Sequence, residues 1–132
     1  MKALLLLCCL VAVFYVGFCG LLYVNQERLL FHPESLPLTY SFHFPGRFEE
    51  RWSTMADGTR LHGLLFKAPH AKGLVFYLHG NGGNAATLGN VAATYTALGH
   101  DVFLLDYRGY GKSSGHISSQ EQLLGDVQTV YG

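Results

Sequence analysis

His79-Gly80-Asn81-Gly82-Gly83-Asn84 directly follows the apolar run Leu74 to Leu78, and its glycines and asparagines cannot continue a strand. Backbone N–H groups gathered where a strand gives way to a helix converge on one point and carry partial positive charge. Two chemistries use such a nest: holding a phosphate, or stabilising the oxyanion of an acyl-transfer intermediate. A second stretch, Asp106-Tyr107-Arg108-Gly109-Tyr110-Gly111-Lys112-Ser113, follows the apolar run Val102 to Leu105. It brings an acid, two cations and three hydroxyls into one short glycine-rich segment.

The phosphate reading has a definite pattern behind it. Gly80 to Ala85 satisfies G-x-G-x-x-G/A after a strand, and Asp106 stands where the ribose-binding acid of a dinucleotide site belongs. Against it, a dinucleotide domain opens with this unit, whereas a hairpin comes first here, and His79 has no role in the fingerprint. A P-loop fails, because Gly111-Lys112-Ser113 would need a glycine at the position of Asp106. Gly111-Lys112-Ser113-Ser114-Gly115 also matches G-x-S-x-G, the nucleophile elbow. An elbow needs a strand running into its first glycine and a helix starting right after its serine. Here the strand ends near Tyr107, and His116-Ile117-Ser118 precedes the next helix, so Ser113 is not read as a nucleophile. The other histidines (His32, His43, His62, His70, His100 and His116) show no metal-ligand spacing; packing or surface roles are expected, and no metal site.

Those stretches need elements to position them. Leu74 to Leu78 has the pattern of a strand covered on both faces. Leu88, Val91, Ala92, Tyr95 and Leu98 recur at helical spacing, with Gly99 as the C′ glycine. With Val102 to Leu105 they make a βαβ unit, whose right-handed crossover sets the two strands parallel. Ahead of it, Phe48 to Thr54 and Arg60 to Lys67 flank Ala56-Asp57-Gly58-Thr59, a hairpin signal, so the sheet is expected to be mixed. Behind it, Arg108 to Ser118 reads as a loop in which Asp106 and Arg108 form a stabilising pair. Ser119 and Gln122 then form a capping box for a helix carrying Leu123, Leu124, Val127, Val130 and Tyr131. A further strand is expected past Gly132. Without it the edge at Val102 to Asp106 is open and the fold marginal.

Of 132 residues, 49% are apolar and 14% charged, and the N-terminus accounts for the excess. Ala3 to Val24 holds no charge and is long enough to cross a bilayer of about 30 Å as a helix. A cleaved signal would want a shorter apolar core and small residues before the cleavage point, whereas bulky Phe18 precedes Cys19. The expected organisation is therefore a transmembrane anchor over residues 1–24, a proline-containing linker over 25–47 and a domain over 48–132. Lys2 favours a cytoplasmic N-terminus and an extracytoplasmic domain, which makes the bilayer a partner. Cys8, Cys9 and Cys19 all lie in the apolar segment and leave no disulfide for the domain. Zero formal net charge and the lack of a basic run argue against nucleic acid.

Four segments together resemble the α/β-hydrolase superfamily, and within it the membrane-anchored serine hydrolases related to serine aminopeptidases and monoglyceride lipases. They are Leu29-Leu30-Phe31-His32-Pro33, Ala56-Asp57-Gly58-Thr59-Arg60-Leu61-His62-Gly63, His79 to Asn84, and Asp106 to Ser113. The resemblance implies an α/β fold present in part: the N-terminal hairpin and first parallel βαβ unit of the hydrolase domain, behind a transmembrane helix. It implies that the backbone N–H of Asn81, with that of Gly82, forms half of an oxyanion hole. His79, Gly80, Gly83, Asp106, Arg108, Gly109 and Gly111 become structural members of the motifs. The nucleophile, acid and base, in the order Ser, Asp or Glu, His, are expected beyond Gly132, so the chain by itself is expected to be inactive. A small acyl ester or peptide is the implied substrate of the full-length relative, and no cofactor is implied. Two other classes remain open at this point: a dinucleotide-binding module and a non-catalytic membrane-tethered fragment.

Overall fold

The computed structural model describes residues 1–132 as two compact units, Met1–Leu30 and Phe31–Gly132. The first is a single helix, α1 (Lys2–Leu30), with no buried residue. It is long and apolar enough to cross a membrane, a test that a signal sequence near the N-terminus also passes. The helix does not stop at Val24, the expected end of the span. Asn25 Nδ2 donates to the Leu21 carbonyl at 2.8 Å, and nothing before Pro33 disfavours helical backbone. The residue preceding a proline is pushed out of the α region, which ends the helix at Leu30.

The second unit is built on four strands: β1 (Arg47–Thr54), β2 (Arg60–Lys67), β3 (Leu74–Leu78) and β4 (Asp101–Asp106), in spatial order β1-β2-β4-β3. The hairpin β1–β2 is antiparallel and the pair β3–β4 parallel, as the patterns predict. Its connection is the five residues Met55 to Thr59, the first and last paired through the Met55 N–H on the Thr59 carbonyl. Gly58 takes φ +81° after a turn closed by its N–H to the Met55 carbonyl, the type I turn with a bulge that a left-handed glycine permits.

The expected open edge at Val102 to Asp106 is wrong. β2 lies antiparallel against β4, pairing Leu64 with Leu104 and Phe66 with Val102, so β4 is central and β3 is the edge. Leu74 and Leu78 are correspondingly exposed, and β3 is not the doubly covered strand its apolar run predicts. Apolarity alone does not say which of two strands takes the inner position. Here β2 can lie flat beside β4 because Gly63 has no side chain: a Cβ there would fall 2.5 Å from Cζ of Phe103.

The pleat sends alternate residues to two cores. Leu64, Phe66, Val102 and Leu104 pack with Phe42, Ala85 and Ala92 on one face, while Leu61, Leu105 and Phe103 meet Ile117, Leu123 and Val127 on the other. The crossover expected as one helix is α2 (Ala85–Leu88), a 3₁₀ turn over Gly89–Val91, and α3 (Ala92–Ala97). The ring of Phe44 occupies the place a Gly89 side chain would need, with Cζ 2.4 Å from an added Cβ. Leu98 is exposed and not part of the core stripe. Gly99, at φ +83°, closes the helix as expected, with its N–H on the Thr96 carbonyl and that of His100 on Tyr95. On the far face lies α4 (Gln120–Tyr131), N-capped by Ser119. Gln122 reaches back to the N–H of Ser118 and not to that of Ser119, so the expected capping box is displaced by one residue.

Residues 31–46, expected to form most of a linker over 25–47, belong to the compact unit. Phe42 is buried, and Ser35 bridges to Gly111 in parallel, with Gly111 N–H on the Glu34 carbonyl and Leu36 N–H on that of Gly111. The segment has no regular element before Arg47 and packs irregularly.

Candidate functional site

Because β3 and β4 are parallel and in register at Leu78 and Leu105, the loops leaving them emerge side by side at the carboxyl edge of the sheet. That edge is where open α/β sheets place their ligands. The first loop is His79 to Asn84, and the second runs from Tyr107 to Ser113.

The second loop and the strap at Phe31 to Leu36 orient the peptide planes of the first. The Tyr107 hydroxyl donates to the His79 carbonyl at 2.8 Å. His79 Nδ1 donates to the Gly80 carbonyl at 2.8 Å, and the Asn81 carbonyl accepts from the Tyr110 hydroxyl at 2.7 Å and from the His32 N–H at 2.9 Å. Three successive carbonyls are therefore held from the protein side. No peptide bond is cis, and in a trans peptide the next residue's N–H points opposite to the carbonyl. The N–H groups of Gly80, Asn81 and Gly82 thus turn outward from a backbone that is exposed at all three residues. Gly83 turns the chain at φ +78°, and Asn84 begins α2 with a reciprocal capping box: its side chain accepts from Ala86 and Thr87 N–H, and Thr87 Oγ1 accepts from its own. A helix of four residues contributes little dipole, so the outward array rests on the loop's peptide planes and not on the helix the sequence pattern emphasised.

Asp106 is the hub beneath the array. It is fully buried, and its Oδ1 accepts the Ala85 N–H at 2.7 Å. Its Oδ2 lies 3.4 Å from His62 Nδ1, and its main-chain carbonyl accepts from Ser113 Oγ at 2.7 Å. The carboxylate has no exposed oxygen to offer a ribose, which removes the basis of the dinucleotide reading. Ser113 Oγ also accepts the His62 N–H at 2.8 Å. Both functions of that hydroxyl are used by backbone, and no helix follows until Gln120.

The expected Asp106–Arg108 pair does not form, because Asp106 faces the α2 layer and Arg108 the α4 layer. Arg108 makes a bidentate pair with Asp126 of α4, at 2.6 and 2.8 Å. It also donates to Asp57 and Thr59 of the hairpin loop. The Asp126 carboxylate raises the guanidinium pKa further, and Arg108 with the Thr59 backbone holds Asp57 down at about 2. Burial pushes His79 below its ordinary 6.5; its Nε2 is buried without a hydrogen-bond partner. Burial also pushes the Tyr107 phenol up to about 12, so it stays a donor.

Sequence reasoning missed a second polar array. His62, fully buried, reaches Glu50 through Nε2 at 2.9 Å and Asp106 through Nδ1, while buried Lys112 donates to Glu50 at 2.8 Å. Burial pushes the Glu50 carboxyl up, but the Lys112 and His62 bonds outweigh it and the net shift is downward. The available signal was positional: His62 shares its strand face with Leu64 and Phe66, so a packing role was legible but its partners were not. No group of three His, Cys, Asp or Glu side chains is arranged to hold a metal.

Residues 69–132 match the family model described as serine aminopeptidase, S33. The chain is 35% identical over 134 residues to the α/β hydrolase domain-containing protein WAV2 of Arabidopsis thaliana, covering 90% of this chain and 43% of that one. It is 31% identical over 122 residues to protein bem46 of Schizosaccharomyces pombe, covering 84% and 40%. It thus spans less than half the length of these relatives. An α/β hydrolase of Penicillium superposes with a TM-score of 0.51 at 27% identity over 64% of this chain and 32% of its own. A Pyrococcus furiosus esterase shares the fold with a TM-score of 0.56 at 18% identity, over 76% and 39%. The mixed sheet, the two loops at its carboxyl edge and these likenesses place the chain in the α/β-hydrolase superfamily, of whose domain it carries a part.

Proposed function

We propose that this chain supplies the oxyanion-hole loop of a membrane-anchored serine hydrolase of esterase, lipase or peptidase type. In the whole enzyme a serine Oγ attacks an acyl carbon, and the carbonyl oxygen, turning negative, accepts from the N–H groups of Asn81 and Gly82. The observation that carries the reading is the fixing of three successive carbonyls by Tyr107, His79 and Tyr110. Donors held in place before the reaction cost no reorganisation when charge develops. Nucleophile, acid and base lie outside residues 1–132 in this reading, since Ser113 spends both its functions on backbone. Helix α1 is the bilayer anchor, with Lys2 on the cytoplasmic side and the Phe31–Gly132 unit on the other. A small acyl ester or peptide is the substrate.

The chain by itself is then expected to show no turnover of p-nitrophenyl esters and no labelling by a fluorophosphonate; labelling at Ser113 overturns the assignment. In a full-length enzyme carrying these residues, Gly82→Pro deletes one donor and is expected to lower kcat by about 10²–10³. Gly82→Ala keeps the N–H and meets no atom within 4 Å, so its kcat should stay close to that of the parent. Equal activity of the two variants removes Gly82 from the hole.

A further inference from the structure

A groove of about 980 Å³ lies at the end of the sheet opposite the candidate site, where Arg47 pairs with Lys67 across β1 and β2. Phe44, Phe66, Ala93 and Leu98 give it an apolar lining. None of the residues assigned to the hydrolase loops borders it, so it is a separate feature. Its charged lining is of one sign: Arg47, Lys67 and Lys72 border it and no carboxylate does. Lys67 is engaged by Asp101 at 3.0 Å, and that carboxylate is further held by the Ala68 N–H at 2.8 Å. Arg47 and Lys72 have no acidic partner, which leaves two uncompensated positive charges beside an apolar lining.

From this charge pattern we infer that the groove binds a small organic anion with an apolar body, its carboxylate, sulfonate or phosphate head between Arg47 and Lys72 and its body against Phe44 and Phe66. The volume is that of a site for one compact ligand. A concave apolar bed suits such a body better than the acidic face of a protein, which needs a broad surface. The loop at Lys72 is fixed by its N–H on the Gly99 carbonyl at 2.8 Å, so one wall is ordered without ligand. This site is independent of the hydrolase reading.

The test uses the full chain in phosphatidylcholine nanodiscs, with 4-phenylbutyrate as the probe and 4-phenylbutanamide as its uncharged twin. Amide chemical shifts of residues around Phe44, Ala93, Ala97 and Lys72 should move saturably with the acid and much less with the amide. Reversing both charges, Arg47→Glu with Lys72→Glu, should weaken binding roughly tenfold or more, because attraction of the anionic head becomes repulsion. Empty nanodiscs give the share of probe that merely partitions into lipid. Equal response to acid and amide, shifts confined to other residues, or no effect of the reversal in a folded variant each overturn the proposal. So does tighter binding of a glutamate-rich peptide at the same amides, which would make the groove a protein-docking surface.

Discussion

Gly111 sits directly over the Asp106 carboxylate: a Cβ on it would fall 1.9 Å from Oδ2. The second loop therefore wraps onto the very group that holds the Ala85 N–H and faces His62, and the backbone of Gly111 continues outward to Glu34 and Leu36. Gly111→Ala must displace the carboxylate or the loop. Overpacking of this kind costs about 1–3 kcal/mol, on top of about 1–2 kcal/mol for a side chain at φ +50°. Gly46→Ala, at φ +88° with no atom within 4 Å, carries the backbone cost alone. Urea unfolding followed through the single tryptophan, Trp52, should separate the two variants; equal losses would mean the contact with Asp106 is unimportant.

Tyr107 and Tyr110 are expected to act on the first loop through their hydroxyls. Tyr107→Phe and Tyr110→Phe each remove one hydrogen bond, worth about 1 kcal/mol; the first frees the His79 carbonyl, whereas after the second the Asn81 carbonyl keeps the His32 N–H. Backbone order parameters at Gly80 should fall in Tyr107→Phe, and those at Gly82 to a smaller extent in Tyr110→Phe, while those of β4 stay high. Unchanged order parameters at the loop would show that its planes are held by something other than these phenols.

Arg108 joins three parts of the unit: its own loop, the hairpin turn and α4. Arg108→Ala strands the buried Asp126 carboxylate and should cost about 3–5 kcal/mol, the range for breaking a buried pair. Arg108→Lys keeps the charge but not the bidentate fork, and should recover only part of that. The Asp57 end of the clamp is exposed and is best read through pH. Its folded value is about 2 against an ordinary 3.8, so its contribution is complete above 3.8 and is lost as pH falls through about 2. The stability gap between the parent and Asp57→Asn should be constant above pH 4 and close towards pH 2. A gap that persists at pH 2 rules out the ion pair as its source.

His79 also costs stability in acid, but over a higher pH range and because of burial. Burial holds its folded value below 6.5, so the unfolded chain takes up the proton first. Stability should fall as pH drops from 6.5 towards the folded value, because the neutral imidazole must stay uncharged in the native state. Replacement by phenylalanine should flatten that part of the pH–stability curve while lowering its level, since the bond to the Gly80 carbonyl is lost. An unchanged slope would assign the pH dependence to another group.

The strands of the hairpin, the parallel pair, the glycine-rich turn and the Ser119 cap were legible along the chain because their signals are local: alternation, turn residues, and a hydroxyl ahead of a helical stripe. The motif residues His79 to Asn84 and Asp106 to Ser113 were legible for the same reason. Sheet order was not, since the apolar runs of β3 and β4 look alike, and only packing against Gly63 and Phe103 puts β2 beside β4. Nor were the partners of Asp106 and Arg108. Two residues apart in sequence, they face opposite layers and bond to groups far along the chain, Asp106 to Ala85 and Arg108 to Asp126. Hydrogen bonds across such separations depend on where the whole chain brings its side chains, and a one-dimensional pattern records residue types but not those meetings.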